Sequence, residues 1–80
     1  MFDQSILDAL SARKRDLDAA VARNDIAGAM REYDAMRTAA LHLRDAERQA
    51  GAARKLRALH ELLTRLRHAA DGRGLSRAVP

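Results

Sequence analysis

Cysteine is absent from this chain of 80 residues, which excludes a disulfide framework and any thiolate metal site. Aromatic residues are scarce, because Phe2 and Tyr33 are the only two, and β-branched residues are few. Alanine, leucine and arginine, all strong helix formers, fill the positions that strand-forming residues would otherwise occupy. We therefore expect an all-α protein with a thin core, since eighteen of its apolar residues are alanines.

Long apolar runs are also missing. No stretch approaches the roughly 18 apolar residues that a membrane span requires. The opening Met-Phe-Asp-Gln lacks the basic segment and apolar run of a secretory signal. The sequence therefore predicts a soluble, cytoplasmic protein without a membrane span.

The small size of the chain limits how it can be stabilised. A domain this short buries only about 60% of the surface that its unfolded chain exposes. With no disulfide and no metal site, association with another chain is the remaining supplement. We expect one helical domain over residues 1–71, a flexible tail over 72–80, and a homo-oligomer or a protein partner helix as the binding partner.

The first helix is predicted over residues 3–23. Asp3 is a suitable N-cap, and Phe2 and Leu7 are spaced for a hydrophobic staple. The pair Asn24-Asp25 predicts a turn, since either side chain can cap a second helix that starts near Ile26. An apolar stripe on the first helix faces the core; its members are Ile6, Leu10, Leu17 and Val21.

The second and third helices are predicted over residues 25–50 and 52–71, with a break near Gly51. The stripe of the second helix recurs at about 3.5 residues, a spacing typical of coiled-coil packing; it comprises Ile26, Met30, Tyr33, Met36, Ala40 and Leu43, with Ala50 near the end. The leucines that follow are out of register with it by about one residue. The pattern predicts a small three-helix bundle or helical hairpin with coiled-coil-like packing. Its alternative is one continuous helix over 26–70 with the first helix folded against it.

Leucine is concentrated in the third helix, at Leu56, Leu59, Leu62, Leu63 and Leu66. Four of the five recur at the spacing of one helical face, and Leu62 widens that face. Leu41 and Leu62 lie off the central stripes, so a monomeric bundle would expose part of this apolar set. We expect these leucines, together with Leu41, to form a partner-binding surface.

One basic residue interrupts the stripe of the first helix, where Arg13 stands between Leu10 and Leu17. One interpretation is an arginine stem that covers apolar surface while its charged end reaches water or Asp16. The other is a polar residue that sets the register of a helix interface.

Positive charge is concentrated in the second half of the chain. Residues 1–40 carry six basic and seven acidic side chains, and residues 41–80 carry nine and four, which gives the net charge of +4. On the third helix, Arg54, Arg57 and Arg65 lie opposite the leucines and could contact an anion. No aromatic stacking platform or nucleic-acid-binding signature accompanies them, so a nucleic acid partner is possible but not favoured.

Catalytic and metal-binding patterns are not found in the sequence. His60-Glu61 begins a zinc-protease motif, but the second histidine would be needed at position 64, which is Thr64. The serines have no histidine near them in sequence, and no glycine-rich nucleophile turn is present. We expect no enzyme, no cofactor and no small-molecule substrate.

These observations favour a non-enzymatic helical interaction module, an adaptor or regulatory protein that self-associates or binds a partner helix. One alternative is a small basic nucleic-acid-binding regulator. The other is a secretion-type chaperone or co-chaperone, because in size and helicity the chain resembles the short, cysteine-free helical hairpins that guard aggregation-prone export substrates.

Overall fold

Three helices and no strand make up the part of the chain that the computed structural model describes, the backbone of residues 2–78 and the side chains of residues 3–71. Helix α1 spans Phe2–Ala22, α2 spans Ile26–Ala40 and α3 spans Ala46–Ala78. Both α1 and α3 pack against α2. The predicted all-α fold and three-helix bundle are confirmed. In the described residues no helix is both long and apolar enough to cross a membrane.

The turn between α1 and α2 closes α1 with a Schellman motif. Asn24 adopts a left-handed conformation with φ of 61°. The Asp25 N–H donates to the Ala20 carbonyl at 2.8 Å and the Asn24 N–H to the Val21 carbonyl at 2.9 Å, the two hydrogen bonds that define the motif. The turn predicted at Asn24-Asp25 is therefore confirmed.

The same turn also starts α2. The Asp25 carboxylate accepts a hydrogen bond from the Gly28 N–H at 2.9 Å and thereby caps the helix. A Cβ atom on Gly28 would collide with the Asp25 carboxylate, so a larger residue at this position requires the capping side chain to shift. Asp25 and Gly28 together fix the start of α2 at Ile26, where the sequence predicted it.

The second helix ends ten residues earlier than predicted. Helix α2 stops at Ala40, and residues 41–45 form the connection to α3. Asp45 ends this connection as an N-cap, since its carboxylate accepts from the Glu47 N–H at 2.9 Å and the Arg48 N–H at 3.1 Å. Leu43 of this connection is buried in the core. Its burial explains why Leu43 continues the apolar stripe of the second helix in the sequence.

Gly51 lies inside α3, so the predicted break there is wrong, as is the alternative of one continuous helix over residues 26–70. The register slip between the two stripes arises from the turn at residues 41–45. The predicted end of the third helix at residue 71 is also wrong, because α3 continues through Gly72 to Ala78, while the flexibility predicted for residues 72–80 stays a prediction. Residues 79 and 80 lie outside the described residues.

Asp3 joins the start of α1 to the connection between α2 and α3. Its carboxylate accepts hydrogen bonds from the Arg44 N–H at 3.0 Å and the Asp45 N–H at 2.9 Å. Asp3 is only 7% exposed and is the one buried charged residue among those described. The prediction that Asp3 caps its own helix is wrong, because α1 already includes Phe2. The side chain of Phe2, and with it the predicted staple, lies outside the described side chains.

Acid should weaken this connection. Hydrogen bonds from the backbone of Arg44, and then of Asp45, hold the pKa of Asp3 below its ordinary value of 3.8, and Arg48 adds to the effect. Such a group stabilises the fold above its unfolded pKa, and the contribution is lost as the pH falls through the lower folded pKa. We expect urea unfolding of the Asp3→Asn variant to depend less on pH in this acidic range than that of the parent. Parallel pH profiles would contradict this role.

The core is formed by residues of the apolar stripes predicted for the first two helices, together with leucines of α3. Leu17 and Leu63 are the largest side chains that are fully buried. The stripe residues Ile6 and Val21 pack at its edge, as does Leu66. The core consists of Leu10, Leu17, Ala20, Ala29, Tyr33, Met36, Ala40, Leu43, Leu56, Leu59 and Leu63.

Helix α3 is much longer than its neighbours, with 33 residues against 21 in α1. At 1.5 Å per residue it is about 50 Å long and α1 about 31 Å. Because Asp3 ties the starts of both helices together, the C-terminal turns of α3 extend past the end of α1. The radius of gyration is 15.0 Å, larger than the roughly 12 Å of a compact domain of this length.

Candidate partner-binding groove

The leucines predicted as a single binding surface divide into two groups. Leu56, Leu59 and Leu63 are buried in the core, and Leu66 is partly buried against it. The chain itself therefore covers most of the surface of these four leucines, and their role in binding a partner stays a prediction. The two exposed members of the predicted set are Leu62 and Leu41, with 41% and 72% of their surface accessible.

A groove of about 720 Å³ runs between α1 and α3, and we call it the α1/α3 groove. Among the described residues, no Cα atom of α1 lies within 8 Å of a Cα atom of α3, so the backbones of the two helices are farther apart than either is from α2. Met36 of α2 lies at the bottom of the opening. Its lining is formed by Leu7, Leu10, Ser11, Lys14, Met36, Arg48, Gly51, Ala52, Lys55, Leu56, Ala58, Leu59 and Leu62.

The lining combines large apolar side chains with small ones. Leu7 and Leu62 are incompletely covered by the chain itself. Gly51, Ala52 and Ala58 form the low part of the α3 wall, where a neighbouring backbone could come close. This surface is apolar and concave, which is the usual character of a binding site.

The packing of the chain itself does not require glycine at position 51. A Cβ atom built there would meet nothing nearer than the Arg54 guanidinium at 3.9 Å, so internal packing leaves room for alanine. Glycine inside a helix costs about 1 kcal/mol relative to alanine. Gly51 lines the α1/α3 groove, where the absence of a side chain would let a partner backbone come close to α3.

The charged residues of the α1/α3 groove are all basic. Lys14, Arg48 and Lys55 belong to its lining, which contains no aspartate or glutamate. Lys14 pairs with Asp18, four residues later on α1, at 2.8 Å, and Arg48 approaches Asp3 at 4.0 Å. Both basic side chains remain nearly half exposed. The groove is thus apolar at its centre and has basic groups at its edges, of which Lys14 and Arg48 already pair with carboxylates and Lys55 has no ion pair among the described residues.

A second groove, of about 790 Å³, lies on the other side of α3 between it and α2, and we call it the α2/α3 groove. The exposed Leu41 lines it, with Arg57 and His60. The His60 ring lies 5.6 Å from that of Tyr33, centroid to centroid, at an angle of 39°. Its charged residues are of both signs, since Asp34 and Arg37 also line it. This groove is therefore less uniform in chemistry than the α1/α3 groove.

Arg13 lies outside both grooves. Its guanidinium pairs with Glu32 of α2 at 3.2 Å, in place of the intrahelical partner Asp16. The side chain is half exposed, so Arg13 covers the junction of α1 and α2 at the surface. A pair this exposed contributes at most about 1 kcal/mol. The position supports a surface role, and the register-setting role stays an untested prediction.

The three arginines predicted as possible anion contacts are exposed but do not form one cluster in a groove. Arg57 lines the α2/α3 groove, while Arg54 and Arg65 border neither groove. Among the described residues there is no group of three histidine, aspartate or glutamate side chains able to hold a metal ion.

Two features of the structure were not predicted from the sequence, the α1 wall of the groove and the role of Asp3. The α1 wall of the groove, with Leu7 and Lys14, was not predicted because it becomes a site only when α3 lies opposite. The role of Asp3 was missed because its partners are 41 and 42 residues away. A usable signal existed for the start of α3, since Asp45 followed by Glu47 has the form of a helix N-terminus.

Comparison with known proteins adds no family to this geometry. No family model, curated protein or solved structure matches the chain.

Proposed function

We propose that this protein is a non-enzymatic interaction module that binds one amphipathic helix in the α1/α3 groove. The observation that carries the proposal is the arrangement of α1 and α3, which both pack on α2 while leaving an apolar groove between them. A helix that enters this space would complete a four-helix arrangement. Burying an apolar helix face in such a groove is a common mode of peptide recognition.

The dimensions of the groove suit a short helix. Its α3 wall runs from Arg48 to Leu62, which corresponds to about 21 Å or roughly four helical turns. The groove is open along its length, so it leaves a small molecule exposed to water, whereas a helix covers it from end to end.

The apolar surface along the groove gives the partner something to bury. Leu62 loses its exposure when a helix covers it, and Leu7 becomes a second anchor from the opposite wall. Full transfer of a large apolar side chain from water contributes about 1.5–3 kcal/mol, so covering the 41% of Leu62 that is exposed contributes about 1 kcal/mol. Gly51 and Ala58 let the partner backbone approach α3 closely. The thin core of this chain gains stability from the same burial.

A bulky side chain in the groove tests the proposal. The probe is a fluorescent alanine-based peptide of roughly 18 residues, long enough to be helical, with leucines at heptad spacing and glutamates beside them. We expect the parent protein to bind it and Ala58→Trp to bind it at least about tenfold more weakly, or about 1.4 kcal/mol. Fluorescence anisotropy measures both affinities.

Ala12→Trp is the matched control for this experiment. Ala12 and Ala58 are both exposed helical alanines, but Ala12 borders neither groove. The two variants therefore add the same side chain at the same cost in helix propensity. Equal affinities for Ala12→Trp and Ala58→Trp, or no binding to the parent protein, would contradict the proposal.

A further inference from the structure

We infer that the helix received by the α1/α3 groove is acidic beside its apolar face and belongs to a different protein. The inference rests on the proposed function and adds the chemistry of the partner. Its basis is the charge of the groove, whose lining includes three basic side chains and no carboxylate.

The three basic residues occupy both walls. Lys14 lies on α1, while Arg48 and Lys55 lie on α3, seven residues apart and so on one face of the helix. Lys55 has no ion pair within the described part of the chain. Charged residues that flank an apolar seam select the partner and its orientation in helix pairs. Glutamates beside the leucines of the bound helix would meet these cations.

A second copy of this chain does not meet the same requirement. In a two-fold symmetric dimer formed groove to groove, the basic set Lys14, Arg48 and Lys55 of one copy would face the same basic set of the other. Such like-charge contacts oppose association.

The helices of the chain have no suitable face to offer instead. The apolar faces of α1, α2 and the described part of α3 are already turned toward the core. Among the described residues the exposed large apolar side chains are Leu41 and Leu62, which lie 21 residues apart, so no helix presents a continuous apolar stripe that could enter the groove of another copy. A different protein with an acidic amphipathic helix satisfies both the shape and the charge of the groove.

A pair of peptides separates the apolar from the electrostatic contribution. Both carry the same leucines, and glutamates flank them in one peptide and lysines in the other. At about 50 mM salt we expect the glutamate peptide to bind at least tenfold more tightly. The difference should shrink at about 500 mM salt, where the Debye length is only a few ångströms and exposed charges interact weakly.

Charge reversal in the groove identifies the cation that makes the difference. Lys55→Glu should reduce the preference for the glutamate peptide severalfold. Arg54→Glu is the matched control, because it changes the net charge equally at the next residue of α3, outside the groove lining. We expect Arg54→Glu to keep most of the preference. Equal losses in the two variants would overturn the assignment to the groove.

The remaining outcomes distinguish this inference from the proposed function. If both peptides bind with equal affinity and Ala58→Trp weakens the binding of both, the groove binds helices but the inference of an acidic partner is wrong. If neither peptide binds, the proposed function fails and the inference fails with it. A dimer in light scattering that Ala58→Trp abolishes, or displacement of the peptide by a DNA duplex, would overturn the inference in favour of a second copy or a nucleic acid.

Discussion

Replacing Leu63 by alanine should lower the free energy of unfolding by about 2–5 kcal/mol, the range for a leucine deleted from a packed core. Leu63 is fully buried, and Ala20 and Ala29 are among the small residues of the same core. Alanine side chains cannot extend into the cavity that the substitution leaves. A core in so small a domain rarely supplies more than about 3–5 kcal/mol, so the variant should be largely unfolded or close to it. Urea unfolding followed by circular dichroism measures the loss.

Leu62→Ala is the matched control, because it removes the same atoms from the adjacent residue of α3. Leu62 is 41% exposed and lines the α1/α3 groove, so its loss should destabilise the free protein far less. Its cost should appear as weaker binding of the leucine-glutamate peptide. Equal losses of stability in Leu62→Ala and Leu63→Ala would contradict the division of the leucines into core and groove residues.

Gly51→Pro should also be strongly destabilising, by about 3 kcal/mol or more. Proline in a helix interior removes one backbone hydrogen bond and collides with the preceding turn. The effect tests where the chain turns, since residue 51 lies six positions into α3 in the structure. A chain that turned near Gly51 would tolerate proline there far better. Thermal unfolding and the helical signal in circular dichroism measure the effect.

Ala46→Pro is the control for the position of the turn. Ala46 is the first residue of α3, a position at which proline is well accommodated because its N–H has no partner within the helix. We expect this variant to remain close to the parent protein in stability. The opposite pattern, with Ala46→Pro harmful and Gly51→Pro tolerated, would contradict the observed course of the chain between α2 and α3.

The parts of the fold that local sequence encodes were predictable. Asn24-Asp25 combines a residue suited to the left-handed position with an N-cap, and the structure uses both properties in consecutive residues. The stripes of α1 and α2 face the core because periodicity alone determines which side of a helix is apolar. The exposure of Leu41 and Leu62 likewise followed from their positions beside those stripes.

The turn at residues 41–45 was not predictable from turn composition. It contains no glycine, proline or asparagine, and Leu43 continues the apolar spacing of α2 while lying outside any helix. Part of its stabilisation comes from Asp3, a residue at the start of the sequence. A local pattern cannot indicate a connection whose hydrogen-bond acceptor lies 41 residues away.

The candidate site was only half predictable for a related reason. Leucine spacing pointed to α3, which forms one wall of the groove, but it could not tell which leucines α2 covers and which remain beside the opening. The groove depends on the gap between α1 and α3, which is a tertiary property. Lys14 and Lys55 become neighbours of one site only through that arrangement.

The most direct test of helix binding in the α1/α3 groove is the position of the bound peptide, measured by backbone amide NMR during titration with the glutamate peptide. We expect the largest changes on the two walls of the groove, at Leu10 and Lys14 of α1 and at Gly51, Lys55 and Ala58 of α3. Changes confined to the opposite face of α3, or spread evenly along all three helices, would contradict binding in the groove.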